Sequence, residues 1–196
     1  MTSRTSVTAN EATLLQAALM RGGNAALTRL FGIVLGIALL TAGAKISVPF
    51  WPVPMTMQTF AVLIVGASLG RAAGAASVLG YLGLGAAGLP VFAGIAAGPA
   101  YLMGPTAGYL LGFVVAAACI GWIAERKVER RMLTLTLGGI AAMALIYACG
   151  AGWLALQIGA QKAWAVGVLP FLLGDALKIG LAALLLRGLE RVTRCA

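Results

Sequence analysis

The sequence predicts an all-α, polytopic membrane protein built as a bundle of six transmembrane helices. Three observations carry that prediction. Of the 196 residues, 61% are hydrophobic and 10% charged, with a mean hydropathy of +1.00, whereas soluble domains average about 45–50% apolar and ~25% charged. The apolar residues gather into six runs, most of them close to the ~20 residues that one bilayer crossing consumes. Most of the basic residues sit in short segments flanking those runs, where the positive-inside rule places them.

Residues 1–29 read as a cytoplasmic or interfacial segment. Leu14, Leu15, Ala18 and Leu19 recur there at helical spacing and predict a short surface helix from Glu11 to Met20. A cleaved signal peptide is the competing reading, but Arg21-Gly22-Gly23 stands where a small-residue cleavage site is wanted. The transmembrane domain occupies residues 30–187. Its spans run from Leu30 to Val48, Met55 to Leu69, Ala72 to Leu89, Pro105 to Ala124, Leu133 to Trp153 and Trp164 to Leu186. The second is short for a crossing, which implies indistinct ends or a thinned bilayer. A basic cytoplasmic tail, 188–196, completes the chain.

Loop charge sets the topology. With both termini cytoplasmic, eleven of the fourteen basic residues fall on the inner side; only Lys45 and Lys162 fall outside, and Lys178 lies within a span. That bias requires an even number of crossings in a cell's inner (plasma) membrane. The net charge of +9 is thus a topology signal, with membrane lipid as the surrounding partner and nucleic acid not expected. Cys119, Cys149 and Cys195 are odd in number and far apart, which points to neither a disulfide framework nor a metal site. The absence of histidine removes His-ligated metals and His-based triads. No catalytic residue and no cofactor is expected.

The clearest chemical constellation is Gly174-Asp175-Ala176-Leu177-Lys178 in the last span. Measured from Trp164 as the outer edge of one continuous helix, Asp175 lies roughly 16 Å deeper, near the bilayer middle. A charge there costs about 2.5–3.5 kcal/mol even on the lenient insertion scale, so the default reading is functional. The i, i+3 spacing puts both side chains on one face, where they neutralise each other in part. A nearly neutral pair suits a ureido, amide or pyrimidine-like group better than a bare ion. Pro170 is expected to kink the helix beside the pair. Gln58, Tyr81, Tyr147 and Trp153 are further candidates to line a cavity, although Trp153 also reads as an interface-belt residue and the tyrosines as polar links between helices.

Two outer segments are unusual. Pro49-Phe50-Trp51-Pro52-Val53-Pro54 is a stiff extended linker. The stretch from Gly88 to Pro99, which holds the candidates Phe92 and Gly94, is apolar yet too broken by glycine and proline to span. Non-helical apolar backbone is tolerated at a membrane where protein or a cavity surrounds it. The two segments together read as a lid over an outward-facing pocket, with ordinary interfacial turns as the alternative. In the first span Gly32 and Gly36, then Ala38 and Ala42, form a small-residue stripe. It serves packing inside the bundle or docking of a separate membrane subunit.

Four separated motifs carry a family resemblance: Pro52-Val53-Pro54-Met55-Thr56-Met57-Gln58-Thr59, the run from Tyr81 to Phe92, the run from Gly104 to Phe113, and the run from Gly167 to Lys178. In that order, over Leu30 to Leu186, the chain resembles the BioY family, the biotin-binding S-components of energy-coupling factor (ECF) transporters. The resemblance implies a six-helix S-component fold that captures biotin from outside. It also implies partners, namely a transmembrane coupling subunit and a pair of ABC-type ATPases, with release inward by toppling in the membrane. Carried over, Asp175 and Lys178 meet the ligand's polar ring, Phe92 and Tyr81 its apolar parts, and Ala38 and Ala42 the coupling subunit. The opposite orientation, with Lys178 on the biotin carboxylate, stays open. No G-x-x-x-x-G-K-[ST] phosphate loop occurs, so ATP chemistry belongs to partners. The rival readings are an S-component for another vitamin, an ion-coupled transporter using Asp175, and a membrane enzyme. The last would need a Ser–Lys or carboxylate dyad, and no serine lies near Lys178 in sequence.

Overall fold

A computed structural model describes residues 24–126 and 131–195. The surface helix expected from Glu11 to Met20, with Lys127 and Arg130, lies outside the described residues. Helix α1 runs Ala25–Lys45. Asn24 caps it, its side-chain oxygen accepting from the Ala26 amide at 3.1 Å, and such a cap contributes about 1 kcal/mol. A small hairpin follows, in which β1 (Ser47–Val48) pairs antiparallel with β2 (Met55–Thr56). The three prolines lie in the loop between the strands, where no ladder amide is required. Next come α2 (Gln58–Ala86), a 3-10 turn at Tyr101–Met103, α3 (Ala107–Glu125) and α4 (Arg131–Ile158). The chain ends with α5 (Ala160–Gly167) and α6 (Leu169–Cys195).

Five helices among the described residues are long and apolar enough to cross a membrane. The sixth crossing is hidden in α2, which is folded on itself. Gly70 has φ 82° and ψ 177°, and a Cβ built on Gly74 would lie 2.9 Å from the Cα of Gly66. In one straight helix those two residues would be ~12 Å apart, so the two arms return side by side. They are the expected second and third spans. The first arm rises only roughly 17 Å from Gln58 to Leu69, and Ala61 through Gly70 are all buried. It is a central helix wrapped in protein, and hence free of the need to match lipid thickness.

Gly70 occupies backbone space open to little except glycine. Gly70→Ala is expected to cost about 1–3 kcal/mol, which corresponds to a fall in Tm of roughly 3–10 °C by scanning fluorimetry in detergent. An unchanged Tm would mean that the turn relaxes freely.

Close backbone approach joins the helices. A Cβ on Gly66 would lie 2.7 Å from the Ala117 carbonyl of α3, and one on Gly112 would lie 2.9 Å from the Ile146 Cα of α4. Contacts of this kind are the usual means by which membrane helices associate.

Two expectations change. Gly32, Gly36, Leu40, Gly43 and Ala44 are the buried face of α1, whereas Ala38 and Ala42 are exposed. The four small residues are therefore not one stripe, because Gly36 and Ala38 differ by about 200° around the helix. The last span is also not continuous from Trp164. Val168, at φ −125° and ψ −61°, separates α5 from α6, and Pro170 sits in the first turn of α6, where its missing amide leaves no bond unmade. Pro170 therefore helps to begin the helix and does not kink it. Asp175 lies only about 9 Å along α6 from Leu169, a shallower place than a continuous helix predicts. At the other end, α6 runs on through the basic tail to Cys195.

The two ends of the bundle are distinct. One carries the β hairpin, the 87–106 segment and α5; Lys45 reaches Pro90 there, and Trp153 Nε1 donates to the Gly104 carbonyl at 3.0 Å. The other carries the α2 turn against the end of α3, where the Arg71 amide donates to Glu125 Oε1 at 2.7 Å.

Candidate substrate-binding site

Helix α6 presents Asp175, Ile179, Ala182, Ala183 and Leu186 inward and a leucine-rich surface outward, including Leu173, Leu177 and Leu184. This i, i+4, i+7, i+11 spacing aims Asp175 into the bundle. Both oxygens of its carboxylate are engaged. Oδ1 accepts from Thr59 Oγ1 at 2.9 Å and from Lys178 Nζ at 2.8 Å, and Oδ2 accepts from the Tyr147 hydroxyl of α4. Lys178 uses all three ammonium protons, donating to Asp175, to the Thr56 carbonyl at 2.9 Å and to Thr59 Oγ1 at 3.1 Å. Asp175 and Lys178 side chains are 5% and 15% exposed, so the pair is held by hydrogen bonds on every side, as a buried charge pair must be.

This cluster forms one wall of an inner cavity of about 50 Å³, which Gln58, Tyr109, Phe113, Ile146 and Phe171 also line. Outward of it is a cleft of about 520 Å³ between the hairpin loop, through Pro49, Phe50 and Trp51, and the second broken segment, through Ala93 and Gly94, with Tyr101 just beyond that segment. Pro54, Tyr101 and Thr106 line both spaces. Both segments expected to act as a lid therefore border the outer cleft. The Tyr101 phenol, outside the spans, is pushed above its ordinary pKa by burial, against a hydrogen bond with Thr106 that lowers it. It accordingly remains a neutral donor.

Of the candidates, Asp175, Lys178, Gln58 and Tyr147 come together on the inner cavity, and Gly94 lines the outer cleft. Tyr81 and Phe92 do not line either space. Both are wholly buried one layer behind the wall: the Tyr81 hydroxyl accepts from Gln58 Nε2 at 2.7 Å, and the Phe92 ring stacks on Tyr101 with centroids 4.6 Å apart. They hold lining residues in place. The reason is Gly85, whose absent side chain lets the Phe92 ring sit on the helix backbone. Trp153 is spent on Gly104.

The comparisons with known proteins bear on this arrangement. The BioY family profile matches residues 12–194. The chain belongs to the BioY family. Among relatives that carry the BioY name, a probable biotin transporter of Pyrococcus horikoshii is 41% identical, over 81% of this chain and 93% of its own. The biotin transporter of Thermotoga maritima is 40% identical, over 79% and 91%. A crystal structure of the S-component for biotin from an ECF-type ABC transporter superposes with a TM-score of 0.77 at 25% identity, covering 87% of this chain and 94% of that one.

Several residues of this BioY chain's site escaped sequence reasoning. Thr59 was within reach, since it follows Gln58 in a quoted motif and sits at the start of a central helix. Tyr109 also lies in one of the motifs, but for it, as for Tyr101, nothing local distinguishes a cavity tyrosine from one that packs. Tyr109 does both, lining the inner cavity while its hydroxyl donates to the Gly167 carbonyl at 2.7 Å, where α5 ends.

Proposed function

We propose that this multi-pass membrane protein is a transport subunit that binds biotin on the outer side of the plasma membrane and delivers it inward. An ECF coupling subunit and ABC-type ATPases supply the work, and both termini are cytoplasmic. The observation that carries the reading is the Asp175–Lys178 pair in the wall of a cavity that shares Pro54, Tyr101 and Thr106 with a cleft bordered by two loops. The names of the BioY relatives and of the superposed S-component support biotin as the ligand. Ala38 and Ala42, on the exposed face of α1, are the proposed contact with the coupling subunit. An ion-coupled mechanism gains nothing from a carboxylate already neutralised by a lysine at 2.8 Å.

The ureido ring lies inward and the carboxylate tail outward. A second carboxylate beside Asp175 would meet like charge. A ureido group instead offers an N–H donor to the acceptor site that Asp175 has left and a carbonyl to Lys178, which exchanges one of its protein acceptors for it. The inner cavity, at about 50 Å³, is too small for a whole ligand when binding pockets run to roughly 300–1,000 Å³. Biotin therefore extends past Pro54, Tyr101 and Thr106, the residues common to both spaces, into the outer cleft.

Mass spectrometry of the small molecule that co-purifies is expected to find biotin, and a different vitamin would overturn the substrate. On the purified protein, a tail-amidated biotin should bind within about tenfold of biotin, whereas biotin methylated on both ureido nitrogens should lose ~100-fold or more, because it can no longer donate to the charged carboxylate and its methyl groups crowd the small cavity. The reverse ranking would overturn the orientation.

A further inference from the structure

Lys45 ends α1, and its ammonium is held by three main-chain carbonyls, those of Pro90 at 2.5 Å, Phe92 at 2.9 Å and Gly94 at 2.6 Å. Three protons meet three acceptors, so its donor capacity is fully used. Among the described residues it has no carboxylate partner. A lysine in the last turn of a helix ordinarily serves that helix's own free carbonyls; this one reaches across to a segment more than forty residues further along.

The position matters because both walls of the outer cleft meet there. Ser47, two residues on, begins the hairpin whose loop is one wall. The carbonyls that Lys45 holds belong to the other wall, in which Ala93 and Gly94 face the cleft. Phe92, just before them in the chain, packs edge-on to Tyr81 at 5.5 Å and stacks on Tyr101. Tyr81 in turn holds Gln58 at the inner cavity. A continuous series of contacts thus runs from the ammonium to both spaces.

We propose that Lys45 is a positioning residue of the binding site: it clasps the broken outer segment to the end of α1, fixes the spacing of the cleft walls, and so slows escape of the ligand. The effect on the ligand rests on the biotin reading above, whereas the clasp itself does not.

The test uses the full chain, purified and in lipid nanodiscs, as wild type, Lys45→Met and Lys45→Arg. Methionine keeps the length and removes every donor; arginine keeps charge and donors. In Lys45→Met, amide hydrogen exchange should rise in segments 47–56 and 89–104 without added biotin, with α3 and α4 and the Tm as in wild type. Biotin should leave about tenfold faster, and Lys45→Arg should recover much of both effects. Unchanged exchange in those two segments sinks the clasp whether or not the protein binds biotin. Raised exchange with a wild-type dissociation rate refutes the link to the site, and raised exchange throughout the bundle reduces Lys45 to a general stabilising contact. If wild type itself fails to bind biotin, the functional reading falls, and the exchange comparison still decides the clasp.

Discussion

Replacing Asp175 with asparagine is expected to weaken biotin binding by about two to three orders of magnitude, equivalent to ~3–4 kcal/mol. The carboxylate accepts from Thr59, Lys178 and Tyr147, and it is the only carboxylate among the described residues that line the cavity. An amide of the same shape cannot accept at both ends, and its NH₂ would face either the Tyr147 hydroxyl or the Lys178 ammonium. Lys178 would then be a buried charge without a counter-charge, a loss that costs about 3–5 kcal/mol when one partner of such a pair is removed. Part of that cost falls on the fold, so Tm must be followed beside calorimetric affinity. The double substitution Asp175→Asn with Lys178→Met separates the two effects, because it should regain Tm without regaining affinity. Affinity within about threefold of wild type in Asp175→Asn would remove the pair from the site, given that a hydrogen bond to a charged group is worth ~1.5–3 kcal/mol.

Gly121→Val is expected to have the largest effect on folding. A Cβ at Gly121 would lie 2.5 Å from the Arg71 amide nitrogen and 2.6 Å from the Gly70 carbonyl carbon. Both are backbone, and both belong to the turn that folds α2 on itself, so no side chain can move aside. The contact would open by an ångström or more, breaking the bond from the Arg71 amide to Glu125. Overpacking costs about 1–3 kcal/mol, and more where only backbone could yield, so the yield of monodisperse protein on size exclusion should fall steeply. Gly83→Ala, at a glycine with nothing within 4 Å of an added Cβ, is the matched control. Equal yields from the two variants would show that the turn does not depend on this approach.

Composition and periodicity were sufficient for the membrane class, for six crossings and for the pairing of Asp175 with Lys178. Each is a local or additive property: hydropathy sums along a run, loop charge counts along the chain, and an i, i+3 pair is set by the pitch of one helix. The two broken segments were also legible, because proline and glycine restrict or free the backbone where they stand. Tertiary structure alone decided which small residues of α1 face inward, since Gly32 and Ala38 look alike in sequence and differ only in what lies opposite. It alone placed Phe92 and Tyr81 behind the wall and Tyr101 on it, because the order of aromatic layers depends on the empty space over Gly85. It also divided α5 from α6 at Val168 and so brought Asp175 nearer the end of the bundle that carries the hairpin. Hydropathy cannot register that break, for a change in a single residue's φ and ψ redirects a helix without altering how apolar it is.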